Sequence, residues 1–225
     1  MNTHFQLKLE NGEVLNFEVL NRKGIDPAEL NAYSGIPGWV KLECEQCSIC
    51  PFTTNDTIYC PAAFELRDVI FQCRKFASYE QVEFSKETEE GTTTTKTDMQ
   101  KALFSVIGEK AISSACTVLN NRQWSLDYYS MITTPENMFY RSLSTYLVRQ
   151  FLIGSSGREQ DFKLTGHIDY VEEIISVFRS LLQRFRNISG MDSTNNAVIR
   201  LVTSGQILLV KREKWIESLK NEIDI

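Results

Sequence analysis

From His4 to Leu20 apolar residues alternate with polar ones: Phe5, Leu7 and Leu9, then Leu15, Phe17 and Val19. A period of two is the signature of a half-buried strand, and Asn11-Gly12 between the two runs predicts a tight hairpin turn with positive φ. Residues 21–38 hold Gly24, Pro27, Gly35, Pro37 and Gly38 and read as a linker with one possible helical turn at Asp26-Pro27-Ala28-Glu29-Leu30. Val40 and Leu42 suggest a short third strand. A second hairpin is expected from Gln81–Lys86, with Val82 and Phe84 inward, a turn at Glu89-Glu90-Gly91, and the β-branched run Thr92–Thr97.

Helical periodicity takes over elsewhere. Pro61 suits the first position of a helix whose stripe is Leu66, Val69, Ile70, Cys73 and Phe76. Thr97 or Asp98 can cap a helix running to about Ala115, with Leu103, Val106 and Ile107 inward. Thr133 or Thr134, followed by Pro135, opens another through Met138, Leu143, Tyr146, Leu147 and Phe151. After a flexible loop at Gly154–Arg158, Ile168 to Phe185 carries a wide apolar face. A further helix with Val198, Leu201, Val202, Ile207, Leu208 and Val210 follows Gly190. Gly205 argues against its continuity, with Trp215, Ile216 and Leu219 on a last turn or two. The fold class expected is α+β: antiparallel hairpins packed on a mainly helical body, with a β-rich part at 1–97 and a helical part at 98–225 integrated into one domain.

With 225 residues and 42% apolar content the chain can bury a sizeable core. A net charge of −5 excludes a general nucleic-acid surface, although Arg179, Arg184 and Arg186 could form a local basic patch. The first residues lack the apolar segment of a signal peptide, and no apolar run is long enough to span a bilayer. A cytoplasmic protein without membrane attachment is expected, and in that compartment cysteines are read as metal, redox or core groups.

Four of the six cysteines crowd one stretch: Cys44, Cys47, Cys50 and Cys60, with proline after the last two. Two C-x2-C spacings in succession plus one further thiol match known ligand spacing. Cys60 falls at the N-cap of the Pro61 helix, where the helix dipole favours thiolate, and the N–H groups of Ile49 and Cys50 are expected to point toward the Cys47 sulfur. Zinc is the first choice of metal, an iron–sulfur cluster the second, and a low-pKa redox pair the competing reading. Cys73, on an apolar stripe, reads as plain core.

A resemblance narrows the ligand set. The stretches Leu42-Glu43-Cys44-Glu45-Gln46-Cys47-Ser48-Ile49-Cys50-Pro51, Cys60-Pro61-Ala62-Ala63, Ser113-Ser114-Ala115-Cys116, Tyr140-Arg141-Ser142-Leu143-Ser144-Thr145-Tyr146-Leu147 and Asn195-Asn196-Ala197-Val198-Ile199 are similar in order and spacing to an uncharacterised bacterial family catalogued as a domain of unknown function. The resemblance implies Cys47, Cys50, Cys60 and Cys116 as the metal quartet, with Cys44 a bystander or substitute ligand. Thr117 stands where that family has proline.

No catalytic motif emerges. His4 and His167 read as surface or capping residues, Glu172-Glu173 as a solvated face, and Arg141 and Arg149 as solvated or paired cations. Trp124–Met131 is aromatic-rich and could line a pocket. The function expected is a metal-stapled, non-catalytic protein that works through a protein partner. The alternatives are an iron–sulfur or thiol-based redox or metal sensor and an iron–sulfur enzyme.

Overall fold

The computed structural model describes residues 2–20, 26–120, 134–188, 190 and 192–222. The expected α+β architecture is present. Four antiparallel strands, β1 (Thr3–Leu9), β2 (Val14–Val19), β3 (Gln81–Thr88) and β4 (Gly91–Asp98), lie in the order β2-β1-β3-β4. The helices are α1 (Pro61–Cys73), α2 (Met99–Ile112), the single turn α3 (Thr117–Asn120), α4 (Pro135–Ser155), α5 (Thr165–Arg186) and α6 (Asp192–Glu222).

Alternation in β1 and β2 does what the pattern predicts: Phe5, Leu7, Leu9, Leu15, Phe17 and Val19 are all buried on one face. The turn differs from expectation. Leu9 pairs with Glu13 around a three-residue loop, and Gly12 has positive φ (86°) whereas Asn11 does not. That is a loop closed by one left-handed residue rather than a two-residue turn. The second hairpin closes at Thr88↔Gly91, and its threonine strand β4 forms an exposed edge.

No strand forms at Val40–Leu42. Gly38–Val40 is a single 3-10 turn, and Lys41 makes one isolated antiparallel bridge to Tyr59. With Pro37 before it and a cysteine loop after it, the segment has no long neighbour to pair with.

Helix α2 is the centre of the molecule. It packs on the sheet and α1 on one side and on α6 on the other. Every residue from Ala102 to Ile112 is buried, so the helix has no polar stripe to give it a strong periodic signal. Its two buried charges are both partnered. Glu109 meets Lys86 Nζ at 2.6 Å; the Lys110 ammonium donates to Asp68 at 3.0 Å and to the Glu18 carbonyl at 2.9 Å. Asp98 caps α2 and Thr134 caps α4, each accepting a backbone N–H with its side chain. Thr133 lies outside the described residues.

Helix α6 runs unbroken through Gly205 to Glu222, absorbing the separate turn expected at Trp215. A Cβ at residue 205 would lie 2.7 Å from Ile175 Cγ1, so glycine lets α5 and α6 approach closely at their crossing. Packing, not an interruption, explains this residue. One hydrophobic cluster joins the sheet, α1, α2, α5 and α6, with Cys47 and Cys60 packed at its margin.

Candidate metal centre

The cysteine loop is shaped by short-range backbone bonds. Cys44 N donates to Lys41 O at 3.2 Å, and Glu45 takes a positive φ of 47°. Cys50 N then donates to Cys47 O at 2.9 Å, closing the C-x2-C turn. That N–H therefore serves the Cys47 carbonyl rather than its sulfur, against expectation. Beyond Pro51 the chain is held by the Gln46 side chain, which donates to Phe52 O at 2.8 Å. Asp56 accepts from Thr53 N and Oγ1 and folds the next turn. Asn31, from the earlier 3-10 turn Pro27–Ala32, accepts from Ile58 N at 2.8 Å and fixes the approach to Cys60.

Cys60 sits at the N-cap of α1. Its N–H donates to Val40 O at 2.9 Å, and its carbonyl accepts from Phe64 N, the first bond of the helix. The N–H groups of Ala62 and Ala63 face its sulfur without closing a full capping hydrogen bond. Cys116 occupies the equivalent place ahead of α3. Its carbonyl accepts from Leu119 and Asn120, while the N–H groups of Val118 and Leu119 face its sulfur. Ser114 Oγ accepts from Cys116 N at 3.3 Å, and the Asn120 side chain donates to Ser114 O, making a compact hinge between α2 and α3.

These positions bring four thiols into one electrostatic neighbourhood. Cys47 shares a hydrogen bond with Cys50, which together with burial and the charges of Cys50, Cys60 and Cys116 pushes its thiol far up. The same bond lowers Cys50 to about 6 against the opposing effect of burial. The Phe52 N–H, the Gln46 side chain and the Arg184 guanidinium assist. Burial raises Cys60, opposed by Arg184, and burial followed by the charge of Cys60 pushes Cys116 up to about 12. Cys73 is buried in the core stripe of α1, where desolvation raises its thiol.

Among the described residues, no group of three or more His, Cys, Asp or Glu side chains is arranged to hold a metal ion as it stands. The two observations describe one state of the thiols. With Cys47 and Cys50 hydrogen-bonded to each other, their sulfurs close a pair rather than spread around a common centre. Backbone N–H groups are directed at the sulfurs of Cys50, Cys60 and Cys116, and each such contact favours the thiolate.

Arg184 does not lie where its charge suggests. Instead of joining a surface basic patch it is 1% exposed. Its guanidinium donates to Trp39 O (2.9 Å), Lys41 O (2.6 Å) and Leu42 O (3.1 Å), the segment that enters the cysteine loop. Leu181 and Val177, one and two turns before it, are equally buried, so helical spacing places Arg184 on the core face of α5. Trp39 stacks edge-on against Phe185 and seals this contact.

The cysteine pattern suggested a family, and the whole chain can be compared with it. A family model matches residues 3–223, from β1 to the end of α6. The chain belongs to this family, Domain of unknown function (DUF6901). No curated protein and no solved structure matches it. For this DUF6901 member the site must therefore be read from its own residues.

His4 lies on the exposed face of the sheet, 3.5 Å from Glu18. His167 is not a surface cap: it is 3% exposed and its Nε2 lies 2.9 Å from Ser142 Oγ. The same hydroxyl also lies 3.0 Å from Phe139 O. The cavity beside Ser142 holds about 30 Å³, room for a water and not for a substrate. Trp124–Met131 lies outside the described residues. No described helix is long and apolar enough to cross a membrane.

Proposed function

We propose that this protein carries a structural metal site, zinc by preference, on Cys47, Cys50, Cys60 and Cys116, and that it works without catalysis, through a protein partner, in the cytoplasm. What supports this reading is that Cys47, Cys50, Cys60 and Cys116, on three separate segments, are near enough to act electrostatically on one another. When bound, the ion would supply a crosslink between the loop after Lys41, the start of α1 and the α2–α3 hinge. Structural zinc is worth about 10–16 kcal/mol of apparent binding energy at neutral pH, as much as the whole stability of a typical domain. Cys44 is a bystander or substitute ligand in this reading. The partner half draws support from exposed apolar side chains on α4 and the segment after it: Val148, Phe151, Leu152 and Phe162 are each more than half exposed.

A second reading, a thiol-based redox or metal sensor, is favoured by one specific contact. Cys50 and Cys47 share a hydrogen bond that lowers the Cys50 thiol, and direct contact of two cysteines is the arrangement that disulfide formation uses. An iron–sulfur cluster, as sensor or enzyme, would use the same donors. Anaerobic purification followed by zinc, iron and acid-labile sulfide analysis separates them. One zinc per chain that dilute peroxide does not release supports the structural site. Iron with equimolar sulfide replaces it with the cluster. Zinc released by peroxide and restored by dithiol replaces it with the sensor. A metal-free protein of full stability refutes all metal readings.

A further inference from the structure

Helix α4 has two apolar faces. One carries Met138, Phe139, Leu143 and Tyr146 and is buried, chiefly against α6, while Ser142 on the same face meets His167 of α5. At about 3.6 residues per turn, Val148, Phe151 and Leu152 fall on the opposite side, with Leu147 at its margin. These four are 58%, 65%, 61% and 37% exposed. Exposed Ser144 and Ser155 close the two ends of the stripe, and Arg149 is the single charged residue between them. A helix apolar on both sides belongs inside a packed layer, yet nothing among the described residues covers this outer side.

The outer stripe reads the same in both directions. Its pattern is Ser-x2-Leu-Val-x2-Phe-Leu-x2-Ser. Reversal about the midpoint between Arg149 and Gln150 sets Leu147 opposite Leu152, Val148 opposite Phe151 and Ser144 opposite Ser155. Large side chains then meet at the centre and small ones at the ends. An isologous two-fold contact requires such self-complementarity, because each of its residue pairs occurs twice. The surface of a different protein would impose no reversal symmetry on a single helix.

We propose that this face of α4 is a dimer interface, filled by the same face of a second copy of the chain packed antiparallel to it. The inference rests on the partner half of the reading above and names the partner; the metal half is independent of it. At roughly 100 Å² each, the four apolar side chains offer on the order of 400 Å² per copy, the size of patch that often has a function. Two copies would withdraw about 800 Å² from water through these side chains alone, half of a standard interface of about 1,600 Å². Flanking residues supply the rest, among them Phe162, 57% exposed on the loop that Asp161 ties to Tyr146 and Gln150. With one charge in the stripe, apolar burial drives the association.

The test uses the full-length chain under reducing conditions, so that disulfides between copies do not contribute. Sedimentation equilibrium at micromolar concentration should give twice the chain mass. Phe151→Glu, at an exposed site, should keep the wild-type circular dichroism spectrum and weaken self-association at least tenfold. Leu147→Glu and Leu152→Lys test the register. Each alone should dissociate the dimer, and the double variant should regain at least threefold in affinity over either, since every new anion then faces a new cation of the other copy. A monomeric wild type overturns the inference. So does a dimer that Phe151→Glu leaves intact, or a double variant no tighter than the single ones. Should Phe151→Glu not fold, Leu152→Lys carries the same decision. Phe151→p-benzoylphenylalanine, irradiated in the expressing cells, separates a second copy from any other partner. An adduct of twice the chain mass supports the inference. An adduct of another mass overturns it but keeps the partner reading, and no adduct removes both.

Discussion

Acidification should destabilise this protein through one identifiable ring. His167 is 3% exposed, with the aromatic rings of Phe139, Tyr146 and Tyr170 within 5.6–6.3 Å of it between centroids. Desolvation lowers its pKa from the ordinary 6.5 to about 4. Between these values the unfolded chain takes up a proton that the folded chain refuses. The contribution of the neutral ring is therefore intact above pH 6.5, declines as pH falls, and is spent near pH 4. Each unit of pH costs about 1.4 kcal/mol, so the whole interval removes about 3 kcal/mol, a large part of a typical domain's stability. Other groups also titrate in this range, so the quantity to measure is a difference. Urea unfolding of wild type and His167→Gln from pH 7.5 to 4, in the presence of chelator, provides it. The glutamine can still hydrogen-bond Ser142 but cannot ionise. At pH 7.5 it should be the less stable of the two by about 1–2 kcal/mol for lost packing, and the gap should close or invert by pH 4. Parallel stability curves would refute the assignment of acid sensitivity to this histidine.

Three further outcomes follow from packing and charge. Gly205→Ala gains about 1 kcal/mol of helix propensity but drives a methyl to 2.7 Å from the buried, β-branched Ile175. Overpacking of this kind costs about 1–3 kcal/mol, so calorimetry should show a lower Tm, and a raised Tm would contradict the close crossing. Asp98→Ala removes the N-cap of α2, whose carboxylate accepts from Lys101 N at 3.0 Å; denaturant unfolding should register a loss of about 1–2 kcal/mol, against near-neutrality if the cap is idle. Glu109→Gln leaves Lys86 without its charged partner beside the sheet and should cost about 2 kcal/mol by the same measurement, more than any exposed pair such as Lys220–Glu217.

Local chemistry was legible from sequence where one residue decides one conformation. Alternation and a turn glycine placed β1 and β2; Asp98 and Thr134 capped their helices, and Cys60-Pro61 started α1. What escaped depends on neighbours remote in sequence. Pairing of β1 with β3 joins residues 73 to 83 positions apart, as in Leu9↔Val82 and His4↔Glu87, and nothing in either strand names the other. The segment Val40–Leu42 has strand-like residues but no partner strand, so tertiary context set its backbone. Gly205 looks like a helix breaker until Ile175 is seen opposite it. Arg184 and His167 are polar residues at buried positions, and a polarity pattern assigns such residues to the surface by default. For Arg184 the helical spacing from Val177 and Leu181 was the available signal, and identity overrode it. Within the candidate site, the close spacing of Cys47, Cys50 and Cys60 was visible directly. Cys116, fifty-six positions beyond Cys60, entered only through the family resemblance, because no local rule links a hinge between two helices to a distant loop.

The central claim is that four sulfurs from three segments share one ion. Zinc K-edge X-ray absorption on the protein purified without added metal tests it most directly. The account predicts one zinc per chain with four sulfur neighbours near the usual distance of about 2.3 Å, unchanged in Cys44→Ser and reduced to three sulfurs or lost in Cys116→Ser. A shell of nitrogen and oxygen, a Cys116→Ser spectrum identical to wild type, or no zinc at all would contradict it.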